Sequence, residues 1–152
     1  MRLQKKLSQS EKPDMKSKKV ILDTNLWISY LISNRLTFID NLVLDKKIIL
    51  LFSQELIEEF ISVARRPKFS KYFSDEKVSE LLRLFDKYGV LIKVSSIVNE
   101  CRDIKDNFLL NLAVDAEADY LVTGDLDLLV IKRIKKTKII TLSEFYDEFK
   151  IS

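Results

Sequence analysis

Lys19-Val20-Ile21-Leu22-Asp23-Thr24-Asn25 is an aliphatic run that stops at a carboxylate. Consecutive aliphatic side chains of this kind read as a buried strand, because a strand covered on both faces has no polar side to alternate with. Tyr120-Leu121-Val122-Thr123-Gly124-Asp125 repeats the pattern near the other end of the chain. In a parallel α/β sheet such strand ends lie side by side, at the edge where ligand and metal sites form, so Asp23 and Asp125 can meet there.

Outward from these two runs the chain alternates strand-like and helix-like segments. Residues 24–33 read as a helix with Thr24 as its N-cap, and residues 35–45 as a second with Leu36, Ile39, Leu42 and Val43 at helical spacing. Lys47 to Phe52 is a second buried strand. Ser53 then caps a helix that runs to about Arg66 and is ended by Pro67. A further helix opens at Ser74 and stops near Gly89, followed by a strand over Val90 to Val94. Asp106 begins a helix to about Glu117, Tyr120 to Thr123 is the fourth strand, and Leu126 to Lys135 reads as a short helix. Lys138 to Leu142 is the fifth strand, before a terminal helix from Ser143. Repeated β and α segments with near-continuous apolar strands predict a mostly parallel, about five-stranded sheet covered on both faces.

At 152 residues, 47% hydrophobic, with two glycines and two prolines, the chain suits one compact α/β domain, expected over residues 18–152. Residues 1–17 are expected to be a basic, disordered extension, poor in periodic apolar residues. Seven basic residues against Glu11 and Asp14 give residues 1–19 a net charge of +5; the total is +3, so the remainder carries −2. Such a tail suits a polyanion such as RNA, or a solvated leader without a role, and Met15 offers an alternative start. Cys101 is the only cysteine, which excludes an intrachain disulfide, fits a reducing compartment and reads as a small core residue. No apolar run spans a bilayer and no apolar block follows the basic N-terminus, so a cytoplasmic protein without membrane attachment is expected.

Four acids sit where an apolar run ends, where a helix opens or beside a buried stripe: Asp23, Glu59, Asp106 and Asp125. Each has an ordinary reading. Asp23 can cap the helix that follows it, Asp125 can be a turn residue after Gly124, Asp106 can cap its own helix, and Glu59 can be a solvated helix face. However, an acid directly after Val20-Ile21-Leu22 is costly near an apolar core unless it is paired or binds a cation. Glu59 stands among Leu56, Phe60 and Val63, at the margin of the buried stripe. With no histidine in the chain, a Ser-His-Asp or Cys-His nucleophile and a histidine zinc site are excluded. No phosphate-binding glycine loop is present either. Carboxylates remain, and oxygen-only sites select hard cations such as Mg²⁺ or Mn²⁺. Aspartyl phosphotransfer would also place an acid after a first strand, but Asn25 stands where the phosphatase pattern wants a second Asp.

Four blocks together resemble the PIN-domain nuclease family: Val20-Ile21-Leu22-Asp23-Thr24-Asn25; Glu59 in the helix ending Ala64-Arg65-Arg66-Pro67-Lys68-Phe69; Arg102-Asp103-Ile104-Lys105-Asp106-Asn107; and Leu121-Val122-Thr123-Gly124-Asp125-Leu126-Asp127. The branch it is similar to contains the VapC-like toxin components of toxin-antitoxin modules. The resemblance implies a three-layer α/β/α Rossmann-like fold and Mg²⁺- or Mn²⁺-dependent hydrolysis of single-stranded RNA. By it the metal ligands fall on Asp23, Asp106 and Asp125, and the helix glutamate on Glu59, with Glu58 the alternative one position away. Asn25, Thr123, Asp127 and Asp103 become supporting residues. A cognate antitoxin and a homodimer are the implied partners. An RNA-processing nuclease outside such a module, or a non-catalytic RNA- or protein-binding domain, are the alternatives. An acidic centre repels a polyanion, so flanking cations are needed; Arg65, Arg66 and Lys68, with Lys71, form one basic cluster. Lys132, Arg133, Lys135, Lys136 and Lys138 form another. Both also read as solvated helix ends. Phe69, Tyr72 and Phe73 are the candidate base-stacking rings, although core packing is the plainer expectation for them and for Trp27.

Overall fold

The computed structural model describes residues 17–33, 37–97 and 106–150. Asp103, Cys101 and the extension up to residue 16 lie outside them. Six strands form one sheet in the order β3-β2-β1-β4-β6-β5: β1 Lys18–Leu22, β2 Ile48–Phe52, β3 Gly89–Leu91, β4 Tyr120–Val122, β5 Arg133–Ile134 and β6 Thr137–Ile140. All pairings are parallel except the β5–β6 hairpin. Successive residues of a strand face opposite sides, and Val20, Ile21 and Leu22 are all essentially inaccessible. Helices therefore cover both faces of the sheet, giving the expected three-layer arrangement.

The helices are α1 Thr24–Ser33, α2 Thr37–Leu44, α3 Gln54–Ala64, α4 Asp75–Tyr88, α5 Asn107–Ala116, α6 Leu126–Leu129 and α7 Leu142–Lys150. Ser53 caps α3 by accepting from Leu56 N at 3.1 Å, and Ser74 caps α4 by accepting from Lys77 N at 3.1 Å. The expected caps are in place. α3 ends at Ala64, and Pro67 opens a short 3₁₀ turn instead of continuing the helix. Trp27, Phe52, Phe60, Phe73 and Phe85 form one aromatic cluster joining α1, β2, α3 and α4, with centroid separations from 4.7 to 6.1 Å. Trp27 and Phe73 are thus core residues, whereas Tyr72 is exposed.

Three expectations need correction. Thr24 is not the cap of α1 but its first residue; the capping acceptor is Asp23, whose Oδ1 accepts from Leu26 N at 2.9 Å. The third strand ends at Leu91, short of Val94. The helix read over Leu126 to Lys135 stops at Leu129, and Arg133–Ile134 is a sixth strand paired antiparallel with Lys138 and Thr137. Lys132 and Lys135 take left-handed backbone angles, with φ of 68° and 51°, which no helix can accommodate. The polar spacing around these lysines carries no β signal, and only the hairpin partner makes the strand.

Candidate active site

The strand order fixes where the site lies. β1 is followed by β2 and β3 on one side and has β4 and β6 on the other, so the sheet reverses its winding between β1 and β4. Above the carboxyl ends of these two strands the connections diverge and leave a crevice. Leu22 pairs with Val122, and Asp23 N donates to Val122 O at 3.1 Å, which brings Asp23 level with Thr123 at the mouth of that crevice. Asp125 follows two residues later.

Asp23 is only 5% exposed. Its two oxygens have separate duties: Oδ1 caps α1, while Oδ2 accepts from the hydroxyl of buried Thr123. The same Thr123 Oγ1 accepts from Asp125 N at 3.0 Å, so one hydroxyl ties the two acids together. Asp125 is half-buried and caps α6 by accepting from Asp127 N at 2.9 Å. The ordinary capping readings of Asp23 and Asp125 therefore hold alongside any chemical role, since a carboxylate has lone pairs left after one such bond. Burial raises the Asp23 pKa above its usual value. The Thr123 hydroxyl and the Leu26 and Gly124 amides act against that rise, while the neighbouring Asp125 charge adds to it. Among the described residues, no lysine or arginine is one of the groups that set it.

The other two acids stand on helices. α3 packs against α1 and α5, and it places Glu59 half-buried beside Leu56, Phe60 and Val63, which are at most 3% exposed. Glu58 is exposed and accepts from Gln54 Nε2 at 3.0 Å, so the register favours Glu59 as the inward acid. Asp106 stands at the head of α5, half-buried, and makes no capping hydrogen bond with its side chain. Asn25 is exposed in the first turn of α1. As the side chains stand, no three acids among the described residues converge on one point. Asp23, Thr123 and Asp125 are the part brought together; like charges gain nothing by closing further without a cation between them.

Carboxylate and hydroxyl oxygens are the donors that hard divalent ions take. Among the described residues, Asp23 is a buried carboxylate that no lysine or arginine charge holds, and the side chains bonded to it offer oxygen. The basic clusters lie farther away. Arg65, Arg66 and Lys68 are exposed beyond the end of α3, about 16 Å along its axis from the Ser53 cap. Arg65 approaches Asp75 at 3.9 Å, and Lys68 lies over Phe69. Lys135 and Lys136 turn at the amino end of β6, the sheet edge opposite Asp23, where Lys136 pairs with Asp119 at 3.7 Å and Lys138 with Glu148 at 3.8 Å.

Sequence reading missed two supports. Asp115, at the end of α5, accepts from the backbone amides and hydroxyls of Ser95 and Ser96, fixing the segment after β3; this lowers its pKa. Asp119 accepts from Lys19 N at 2.8 Å and secures the start of β1 against β4. A serine pair and a distant Asp leave no local signal.

Comparison with known proteins agrees with this fold. A family profile described as PIN domain matches residues 19–127. An uncharacterised protein of Methanocaldococcus jannaschii is 32% identical over 142 residues, which cover 86% of this chain and 91% of that protein. Two solved structures share the fold. One is VapBC2 from Rickettsia felis bound to a DNA fragment from their promoter, with a TM-score of 0.53 at 17% identity, covering 81% of this chain and 98% of that one. The other is a protein of Pyrobaculum aerophilum, with a TM-score of 0.52 at 15% identity, covering 93% and 94%.

Proposed function

The chain belongs to the PIN-domain family, and from that premise we propose that it is a Mg²⁺- or Mn²⁺-dependent endoribonuclease acting on single-stranded RNA. The observation that carries the reading is Asp23: a buried carboxylate at the reversal point of the sheet, joined to Asp125 through Thr123, with no basic side chain among the described residues setting its charge. Asp23, Asp125 and Asp106 are the residues that would hold the ion. Glu59 would serve a second ion or position the attacking water. A bound divalent ion supplies Lewis acidity toward a phosphate oxygen and a lowered pKa for nearby water, which a chain without histidine needs.

The protein's own contribution is orientation. Cap and hydroxyl hold both Asp23 oxygens in fixed directions before substrate arrives, and the Asp125 carboxylate is held by the first turn of α6. Likeness of fold to VapBC2 favours a toxin paired with an antitoxin protein. Incubation of labelled single-stranded RNA with the purified chain should give cleavage with Mn²⁺ and none with EDTA, leaving 5′-phosphate and 3′-hydroxyl ends. Cleavage undiminished by EDTA would refute the metal-dependent reading.

Two further outcomes are expected. Mn²⁺ at a hundred times its dissociation constant should stabilise the fold by about 2.7 kcal/mol, because only the folded chain assembles the acids. A melting curve unmoved by millimolar Mn²⁺ would count against the site. Thr123→Val removes the hydroxyl shared by Asp23 and Asp125, and should weaken metal activation by roughly 10- to 100-fold while the chain still folds. An unchanged Mn²⁺ activation curve would deny Thr123 that positioning role.

A further inference from the structure

An open groove of about 300 Å³ runs between α1, α2 and α4, and none of Asp23, Glu59, Asp106 and Asp125 lines it. Its walls and rim include Trp27, Val43, Leu44, Leu84 and Tyr88, and among the described residues Asp40 is the only carboxylate or basic group on it. Leu44, Leu84 and Tyr88 are 65%, 49% and 43% exposed, so a continuous apolar face stands in water. Desolvation at this face raises the Asp40 pKa. A cation beside that carboxylate and an apolar side chain along the walls would both be favoured.

The chain supplies both nearby. Ser17 Oγ donates to Lys46 O at 2.6 Å, Lys18 N donates to Lys47 O at 2.9 Å, and Lys46 N turns back to Val43 O at 3.0 Å. Residues 1–16 therefore join the domain beside the end of α2, next to two residues of the groove wall. Within Met1-Arg2-Leu3-Gln4-Lys5-Lys6-Leu7, Leu3 and Leu7 are four positions apart, the spacing of one helical face, with Lys5 and Lys6 between them. Such a segment has too little apolar surface to fold alone but can order against a surface that another part of the chain provides. The stretch from Leu7 to Ser17 spans up to about 33 Å when extended, against about 12 Å for the whole of α2, so reach does not limit it.

We propose that residues 1–7 dock back into this groove, with Leu3 and Leu7 on its apolar walls and Lys5 or Lys6 beside the Asp40 carboxylate. Tethering puts the segment at an effective concentration in the millimolar range, so even a weak contact is populated. The leader then acts as an intramolecular cover for the α1–α2–α4 face.

Three chains test this: the full chain, a chain beginning at Met15, and the full chain carrying Leu3→Ser and Leu7→Ser. All three chains keep every described residue of the core, so all three should fold. Backbone amide exchange over residues 40–44 and 81–88 should be about tenfold slower in the full chain than in the other two, and the full chain should bind less of an apolar fluorescent dye. Equal exchange and dye binding in all three would overturn the proposal. Protection that rises with protein concentration equally in all three would also overturn it, since a second copy would then be the occupant.

Discussion

Asp23→Asn should abolish metal-dependent RNA cleavage, by a factor on the order of a thousand or more, without lowering the melting temperature at neutral pH. Asparagine keeps an oxygen to accept from Leu26 N and an amide that can meet the Thr123 hydroxyl, so the local hydrogen bonds survive. What disappears is the negative charge. In the parent that charge is disfavoured in the folded state, because burial raises the Asp23 pKa. A raised carboxylate pKa contributes stability that is fully present below the unfolded value of 3.8 and is lost as pH rises through the folded value. Asp23→Asn should remove that loss: stability of the variant relative to the parent should increase as pH is raised from about 3 toward neutrality. Urea unfolding at a series of pH values measures it. Parallel pH profiles would show that Asp23 is not held in an unfavourable charged state, and cleavage at the parental rate would remove it from the site.

Phe60→Ala should produce the largest loss of stability, about 3–5 kcal/mol. Phe60 is 1% exposed and meets Phe73 and Phe85 edge-on, at 6.1 and 5.4 Å between centroids. Its ring fixes α3 to α4, and its neighbour in sequence is Glu59. Against the 5–15 kcal/mol typical of a whole domain, such a loss leaves little margin. Thermal unfolding should show a fall of roughly 2–4 °C per kcal/mol. If cavity formation is the cause, Phe60→Leu should recover most of the loss. A loss below about 1 kcal/mol for Phe60→Ala would mean that the aromatic cluster repacks freely.

The parts of the fold most legible in the sequence were those where one local rule acts alone. Val20-Ile21-Leu22 and Leu121-Val122 announce buried strands because nothing but burial on both sides explains them. Ser53 and Ser74 announce helix starts because their hydroxyls serve the turn that follows them. Arg133–Ile134 was hidden because its strand character comes from a partner across the hairpin and from two lysines in left-handed conformations. Thr24 misled because two adjacent residues both suit a cap, and the choice went to Asp23, the one lying outside the helix.

The candidate site divides in the same way. Asp23, Thr123 and Asp125 follow strand ends whose adjacency the topology dictates, and Thr123 links the Asp23 carboxylate to the backbone N–H of Asp125. Glu59 was separable from Glu58 only through its half-buried position on α3. Where α3 carries it relative to the other acids depends on helix packing that spacing alone does not specify. The basic clusters were read by composition, and composition says nothing about which edge of the sheet they occupy; Lys136 pairs with Asp119 at the far one.

The bond from Thr123 to Asp23 spans 100 residues of chain. During synthesis, β1 emerges early and β4 late, so the pocket does not exist until most of the polypeptide has left the ribosome. A nascent chain that ends before β4 therefore lacks the crevice in which Asp23 and Thr123 meet, and the two halves of the sheet must both be complete before that crevice forms.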